Sequence, residues 1–324
     1  MGESLRGGVI GAGVFGGYHA RQYANAEGAT LVAVYDPVLA RAAEVADRHG
    51  AQAFDDLDAF LAAVDVVTVA SPAIYHADGA VAALKAGKPI YVEKPLAVSL
   101  RDADRIIDEA AARKLVVACG HQERVVFGAI GLFDIPEAPL RLEAVRQGPQ
   151  SERSLDVSVV LDLMIHDLDL ALALSPAEPL AVEAEGVSAY SGGWDQVSAE
   201  VTFANGFTAL FDASRMAEGR NRTMKLVYPS GELEIDFVAR TFRNTTGYPL
   251  NPDFAETPGA KDPLGASVGA FLGAVRGDLA RPVVTPQEAA RALDLALAVE
   301  QALEGKVPSH TLGVAIQARA TSFT

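Results

Sequence analysis

The stretch Val9-Ile10-Gly11-Ala12-Gly13-Val14-Phe15-Gly16 decides the fold of the first half of the chain. An apolar run leads into Gly-x-Gly-x-x-Gly, and the residues that follow have the apolar spacing of a helix. Gly11 permits a tight turn, Gly13 lets the backbone approach a pyrophosphate, and Gly16 lets the helix pack on the strand. The pattern predicts a strand, turn and helix whose N-terminus binds dinucleotide phosphates.

A second apolar run, Thr30 to Tyr35, ends in Asp36. This acid follows Gly16 by about twenty residues, where a carboxylate accepts hydrogen bonds from both ribose hydroxyls and repels a 2′-phosphate. A glycine-rich turn alone is often only a turn, but here both flanking strands and the acid are in register. We therefore expect NAD as the cofactor, with NADP the weaker candidate.

Composition limits the classes of function. The 324 residues suffice for two domains, and the net charge of −15 argues against a broad nucleic-acid surface. The single cysteine, Cys119, ends an apolar run, which predicts a buried thiol in a reducing compartment. The N-terminus lacks the apolar region of a signal peptide, and the chain lacks an apolar stretch long enough to span a membrane. We expect a cytoplasmic protein without membrane contact.

Strand and helix patterns alternate from residue 1 to about 120, with further strands at Val64–Ala70, Ile90–Val92 and Leu115–Ala118. This alternation predicts an α/β Rossmann domain over residues 1–120, with a doubly wound parallel sheet. Ligands of such sheets bind outside the carboxyl ends of the strands. Those ends are Gly11, Asp36, Ser71-Pro72, Glu93-Lys94 and Gly120-His121.

The pattern changes after residue 121. One apolar helix, about Val159–Leu174, precedes five strand-like runs joined by glycine turns, and Asn205-Gly206 is typical of a type I′ hairpin. Residues 244–265 carry many Asn, Pro, Gly and Asp and predict a long surface loop. Residues 121–324 are therefore predicted to form an α+β domain with a mainly antiparallel open sheet.

Two groups of polar residues are candidates for chemistry. Glu93-Lys94-Pro95 follows the fifth strand, where a lysine points into the ligand cleft and a cis bond before Pro95 suits a tight turn. The alternative is a surface Glu-Lys pair. Asp162, His166 and Asp169 form one stripe at helical spacing on an otherwise apolar helix. A carboxylate one turn before a histidine can orient it for proton transfer, although a lone core histidine is more often structural.

These motifs, in their order, resemble the glucose-fructose oxidoreductase/inositol dehydrogenase (Gfo/Idh/MocA) family nearly from end to end. The resemblance implies an NAD(P)-dependent dehydrogenase of sugars or polyols, with a Rossmann domain and a second domain whose open sheet forms a homodimer or homotetramer contact. By this resemblance Lys94, Asp162 and His166 fall on catalytic positions. The implied cofactor-binding positions are Gly11, Gly13, Val14, Phe15, Gly16, Asp36, Ser71, Pro72, His76, Glu93 and Lys94.

Four further stretches resemble the branch of UDP-N-acetylglucosamine 3-dehydrogenases: Gly120–Arg124, Val160–Asp167, Phe203–Gly206 and Ala213–Arg215. The implied substrate-binding residues are Lys94, His121, Arg124, Asp162, His166 and Arg215. Arg220 and Arg222 are further candidates for a diphosphate, with ordinary solvated charges as the equal alternative.

The expected reaction is oxidation of a secondary hydroxyl of a sugar or nucleotide sugar, with C3 of UDP-N-acetylglucosamine as the specific candidate. A histidine has an ordinary pKa of about 6.5, which suits His166 as the base. The Lys94 ammonium would stabilise alkoxide character on the same oxygen. Three alternatives stay open: a free-sugar or inositol dehydrogenase, an NAD-dependent redox glycosidase, and a non-catalytic NAD sensor. No metal is expected, since no ligand cluster with metal spacing is visible.

Overall fold

The computed structural model describes residues 4–150, 156–190 and 192–305. Its contacts divide the chain into two compact units. The first holds the residues up to Val125 together with Asp262–Ala290, and the second holds Val126–Lys261 together with the chain from Arg291 onward. The sequence predicted a single domain boundary near residue 120. The structure instead assigns the late segment Asp262–Ala290 to the first unit as well.

The first unit is built on a parallel sheet of six strands in the order β3-β2-β1-β4-β5-β6. The strand order reverses between β1 and β4, and dinucleotides bind at such a reversal. This confirms the predicted doubly wound Rossmann domain. The strands are β1 (Leu5–Ile10), β2 (Ala29–Tyr35), β3 (Gln52–Phe54), β4 (Val66–Val69), β5 (Ile90–Val92) and β6 (Val117–Cys119). The helices are α1 (Val14–Asn25), α2 (Leu39–Asp47), α3 (Leu57–Ala63), α4 (His76–Lys85) and α5 (Leu100–Arg113).

A late helix, α9 (Pro263–Arg276), completes the core of the first unit. Its residues Val268 and Phe271 are buried in the same cluster as Tyr91 of β5. The hydroxyl of Tyr91 donates to Oγ of Ser267 at 3.1 Å. Burial of this apolar face joins the helix to the Rossmann core, which local sequence patterns do not reveal.

The second unit carries a sheet of seven strands in the order β13-β12-β11-β7-β10-β9-β8. Neighbouring strands are antiparallel except β7 and β10, which confirms the mainly antiparallel sheet. The strands are β7 (Arg141–Gln147), β8 (Pro179–Val187), β9 (Gln196–Phe203), β10 (Thr208–Ser214), β11 (Asn221–Tyr228), β12 (Gly231–Asp236) and β13 (Thr241–Asn244). The remaining helices are α6 (Glu123–Ile130), α7 (Ile165–Leu174), α8 (Pro258–Lys261) and α10 (Pro286–Leu303).

Helix α7 and the π turn before it, Val160–Met164, pack against β10 on one face of this sheet. Alternate strand residues such as Met224 and Leu226 are buried on that face. Strand β7 was not among the predicted strands, because its buried positions include Arg146 and so do not read as an apolar alternation. The other face carries the half-exposed residues of the same strands.

Two local predictions were wrong. The Asn205-Gly206 hairpin does join β9 to β10, but only Gly206 has a positive φ (+85°), whereas a type I′ turn needs two such residues. Asn205 instead accepts a hydrogen bond from the backbone of Phe207 at 3.2 Å. The predicted loop 244–265 contains helix α8, and the guanidinium of Arg240 donates to the carbonyl of Ala260 there.

Within the described ranges, no helix is long and apolar enough to cross a membrane.

Candidate active site

The glycine-rich turn has the geometry that a dinucleotide phosphate needs. Gly11 has a φ of +96°, and a Cβ on Gly16 would lie 1.8 Å from the carbonyl oxygen of Gly11. A Cβ on Gly13 would meet none of the described atoms within 4 Å. Val14 and Phe15 begin α1, and no described side chain caps the N–H groups there. The turn therefore places open space before a helix N-terminus, which fits a pyrophosphate.

The carboxylate of Asp36 lies beside this turn. Its Oδ2 accepts from the backbone N–H of Ala12 at 3.1 Å, and its Oδ1 accepts from the backbone N–H of Val38 at 2.9 Å. The residue is 7% exposed. Each carboxylate oxygen has a second lone pair. Asp36 therefore orders the glycine turn and keeps acceptor capacity that fits the ribose hydroxyls of a dinucleotide.

The end of β4 adjoins the same turn, because a Cβ on Gly11 would lie 2.6 Å from the backbone nitrogen of Ser71. The hydroxyl of Ser71 is buried and makes no hydrogen bond within the described ranges, so a bound ligand group could satisfy it. After Pro72, His76 places Nε2 2.9 Å from the Ser71 carbonyl and Nδ1 2.7 Å from the Pro95 carbonyl. Burial lowers the pKa of His76 more than these carbonyls raise it. This imidazole ties together the turns that follow β4 and β5.

The turn after β5 contains the cis peptide bond between Lys94 and Pro95 that the sequence suggested. Oε1 of Glu93 accepts from Nε2 of His19 at 2.7 Å and from Nε2 of Gln122 at 3.2 Å. Oε2 of Glu93 accepts from the backbone N–H of Lys94 at 3.2 Å. Glu93 is therefore buried with protein partners on both oxygens, while Lys94 is half-buried. The predicted contact of Glu93 with the cofactor stays a prediction.

In the second unit, the helix over β10 carries Asp162 and His166 on its half-exposed side. Asp162 lies within the π turn, and His166 follows in the first turn of α7. Asp169, the third member of the predicted polar stripe, is 1% exposed. A π turn inserts a residue relative to an α-helical turn and changes which side chains share a face. Such turns occur frequently at functional sites.

Asp162 has a buried arginine beside it. The Nη2 group of Arg215 lies 3.8 Å from Oδ2 of Asp162 and donates to the carbonyl of Val157 at 3.1 Å. Its Nε lies 4.0 Å from Oδ1 of Asp195. The Arg215 side chain is 6% exposed, and two carboxylates balance its charge. The charge of Arg215 thus lies close to Asp162, and the predicted contact of Arg215 with substrate stays a prediction.

A buried ion pair lies next to His166 in the sequence. Arg146 of β7 donates through Nε and Nη2 to the two carboxylate oxygens of Asp167, both at 2.8 Å. The two side chains are 3% and 5% exposed. This pair was not predicted from the sequence. The carboxylate of Asp167 on an apolar helix did indicate that a cation must lie close to it, because a buried charge needs a partner. The pair anchors the start of α7, and with it His166, to the sheet.

Besides Lys94, two further predicted substrate residues lie in the first unit. His121 is buried after β6. Nη1 of Arg124 lies 2.9 Å from Oε1 of Glu288, and the arginine side chain is 10% exposed. Burial raises the pKa of Glu288, but the charge of Arg124 and the backbone N–H of Thr285 outweigh it and bring that pKa to about 2. A carboxylate therefore already balances Arg124, and its predicted role with a diphosphate stays a prediction.

The predicted catalytic residues belong to both units. Lys94 is part of the first unit, and Asp162 and His166 are part of the second. Their meeting on one substrate stays a prediction. Among the residues that the structure describes, no cluster of three or more His, Cys, Asp or Glu could hold a metal.

Comparisons with known proteins agree with this geometry. Residues 5–121 match the family model described as "Oxidoreductase family, NAD-binding Rossmann fold", and residues 140–234 match the GFO/IDH/MocA C-terminal domain. The chain is 37% identical to UDP-N-acetylglucosamine 3-dehydrogenase of Acidithiobacillus ferrooxidans over 313 residues, which cover 93% of this chain and 99% of that protein.

The chain belongs to the GFO/IDH/MocA oxidoreductase family. A solved structure of the A. ferrooxidans enzyme superposes with a TM-score of 0.86 at 36% identity and covers 94% of this chain and 99% of that chain. Inositol 2-dehydrogenase of Paracoccus denitrificans is 34% identical over 178 residues, which cover 52% of this chain and 53% of that protein.

Family membership makes the first unit an NAD-binding Rossmann domain. The matched range 5–121 holds every strand from β1 to β6, including the glycine turn and the Glu93-Lys94-Pro95 turn. The GFO/IDH/MocA C-terminal match, 140–234, holds Asp162, His166 and Arg215. Helix α9 lies outside both matched ranges. The sequence had likewise not assigned this helix to the Rossmann domain.

Proposed function

We propose that this protein uses NAD to oxidise a secondary hydroxyl of a sugar or nucleotide sugar. The observation that carries the proposal is that a chain of this oxidoreductase family has a lysine after β5 and the half-exposed residues Asp162 and His166 on its second-unit helix. A non-catalytic NAD sensor would need none of these three side chains.

Each residue has a distinct role in the proposed reaction. His166 accepts the hydroxyl proton, and Asp162, held by Arg215, orients the imidazole or a neighbouring hydroxyl. The ammonium of Lys94 donates to the same oxygen and stabilises negative charge as it develops. NAD, when bound, would accept the hydride that leaves the hydroxyl-bearing carbon. We expect Lys94→Ala and His166→Ala to lose turnover, and His166→Ala to bind NAD normally.

We propose NAD over NADP because of Asp36. Its carboxylate is held in place by the backbone N–H groups of Ala12 and Val38. A fixed negative charge beside the glycine turn accepts ribose hydroxyls and repels a 2′-phosphate. Comparison of the Kd for NAD and for NADP on the same preparation measures this preference directly.

We propose UDP-N-acetylglucosamine, oxidised at C3, as the first substrate to test, because the A. ferrooxidans relative that the chain matches over nearly its full length acts on that compound. A diphosphate needs a cation. Arg222 pairs in register with Arg146, so both stand on the face of the sheet that α7 covers. We keep Arg222, together with Arg220, as a candidate for the diphosphate.

The open face of the second-unit sheet supports a proposed homodimer or homotetramer. It forms a groove of about 540 Å³ between β7, β8, β9 and β10. Leu210 lies half-exposed in this groove among the carboxylates of Glu143 and Glu200. Leu210→Glu is expected to give a smaller particle by light scattering, whereas Leu279→Glu, at an exposed site in the first unit, should not. A monomeric wild type would refute this assembly.

We also propose that the protein acts in the cytoplasm, where a reducing medium suits its single cysteine.

The decisive experiment is a screen for NADH formation with UDP-sugars, free sugars and inositols. NADH formation with UDP-N-acetylglucosamine, abolished in both Lys94→Ala and His166→Ala, supports the full proposal. NADH formation with inositol alone would indicate an inositol dehydrogenase, like the inositol 2-dehydrogenases that the chain also resembles. Release of free sugar from a glycoside without net NADH would indicate a redox glycosidase. Wild-type turnover in both alanine variants would refute the assigned roles.

A further inference from the structure

A buried histidine lies behind the turn that carries Lys94. His19 stands on α1, three residues after Gly16, and its side chain is 0% exposed. Its Nε2 lies 2.7 Å from Oε1 of Glu93. Because a carboxylate only accepts hydrogen bonds, this nitrogen must carry the hydrogen. His19 is part of neither the glycine motif nor the Glu93-Lys94-Pro95 motif.

The Glu93 carboxylate is held from several directions. Besides His19, the side-chain amide of Gln122 donates to Oε1, and the backbone N–H of Lys94 donates to Oε2. A Cβ on Gly120 would lie 2.8 Å from Oε2, so the strand end at Gly120 closes the remaining side. The Glu93 carboxylate accepts from three donors and is packed against the backbone of Gly120, so it cannot rotate freely. Its hydrogen bond with the Lys94 N–H therefore fixes the backbone from which the lysine side chain extends.

The same contacts keep a negative charge next to Lys94. Burial raises the pKa of Glu93, but the hydrogen bond and charge of His19, together with Lys94, outweigh burial and leave that pKa below its ordinary value. The titratable side chains that interact with Glu93 are His19, His76, Tyr91 and Lys94. The carboxylate therefore stays an acceptor for the backbone N–H of Lys94, so the turn that carries the lysine remains fixed.

We infer that His19 and Gln122 are positioning residues for Lys94, acting through the buried carboxylate of Glu93. The inference rests on the proposed role of Lys94 as the ammonium that stabilises the reacting oxygen. A purely structural His19 would be replaceable by any side chain that fills the same space against Tyr91, whose ring centroid is 5.1 Å away. A positioning His19 must be replaced by another hydrogen-bond donor.

The test compares His19→Leu, which fills space without a donor, with His19→Gln, which restores an N–H near the position of Nε2. His49→Gln is the matched control, since His49 is a half-buried histidine beyond the end of α2 in the same unit. With UDP-N-acetylglucosamine as the probe, His19→Leu is expected to lower kcat by about 10- to 100-fold, the effect of losing a hydrogen bond to a charged group. The Kd for NAD should be unchanged, and His19→Gln should recover most of kcat.

A second measurement does not depend on turnover. Acetic anhydride labelling of Lys94 at one fixed pH, read by peptide mass spectrometry, reports how accessible the amine is to the reagent. In His19→Leu the labelling rate should rise, because Glu93 loses a donor and no longer fixes the backbone from which Lys94 extends. His49→Gln should leave the rate unchanged. If His19→Leu fails to fold, Gln122→Leu should show a smaller rise.

The outcomes separate the two proposals. If Lys94→Ala abolishes turnover while His19→Leu and Gln122→Leu keep wild-type kcat and wild-type Lys94 labelling, the positioning inference is overturned and the proposed function stands. If no sugar is oxidised but the labelling rate rises, the hold on Glu93 is supported and the proposed function fails. Equal losses in His19→Leu and His19→Gln, with no rise in labelling rate in either, would indicate a packing role only.

Discussion

The ion pair between Arg146 and Asp167 allows the packing of the second unit to be tested. Two hydrogen bonds of 2.8 Å join side chains that are no more than 5% exposed. Arg146→Met keeps most of the volume but leaves the Asp167 carboxylate buried without this partner. We expect the free energy of unfolding to fall by about 3–5 kcal/mol. The double variant Arg146→Met/Asp167→Leu removes both charges and should lose less than either single variant.

The assay follows the fluorescence of Trp194 during urea unfolding. Trp194 is the single tryptophan of the chain and lies in the second unit, so its signal reports this unit. Arg141→Met is the control, since Arg141 is on the same strand and its contact with Glu143 joins side chains that are 49% and 45% exposed. Exposed pairs contribute only about 0–1 kcal/mol. An Arg146→Met loss within about 1 kcal/mol of the control, or a double variant as unstable as the sum of the singles, would refute the reasoning.

Three further predictions concern the first unit. Gly16→Ala should abolish NAD binding in calorimetry and leave the Trp194 transition unchanged, because its Cβ would lie 1.8 Å from the carbonyl oxygen of Gly11. Asp36→Asn should reduce the preference for NAD over NADP by about ten-fold or more in measured Kd, since like-charge contacts cost several kcal/mol; an unchanged ratio would exclude Asp36 as the discriminating group. The pKa of Glu288 lies at about 2, below the ordinary 4.5, so this carboxylate stabilises the fold above about pH 4.5 and the contribution is lost as the pH falls toward 2. Glu288→Gln should therefore lower Tm near neutrality and flatten its fall in acid, and parallel Tm curves for wild type and variant would contradict this.

Short-range patterns predicted the first unit well, because its elements follow local rules. The glycine turn, the acid at Asp36 and the alternation of apolar strands with helices are encoded within about forty residues, and the structure places β1, α1 and β2 as expected. The candidate residues on the turn after β5 were predicted by the same logic, since the carboxyl ends of parallel strands are fixed once the strands are known.

Patterns failed where a distant partner decides the outcome. Strand β7 was missed because Arg146 occupies a buried position, which is tolerable only when Asp167 reaches it from the helix. The segment that carries Asp162 and His166 was predicted as one regular helix, but its first turn, Val160–Met164, is a π turn. Spacing along a regular helix could not reveal that change.

The sequence by itself determined the Rossmann domain, the family and the residues expected to do the chemistry, because turn geometry and strand periodicity depend on neighbours in the chain. Only the tertiary structure decided which charges are already satisfied. Arg215 and Arg124 read as cations for a diphosphate, yet each has a carboxylate beside it. His19 looked like an ordinary helix residue, yet it holds Glu93. Hydrogen bonds between residues far apart in the chain depend on how helices pack on sheets, and local spacing carries no record of that packing.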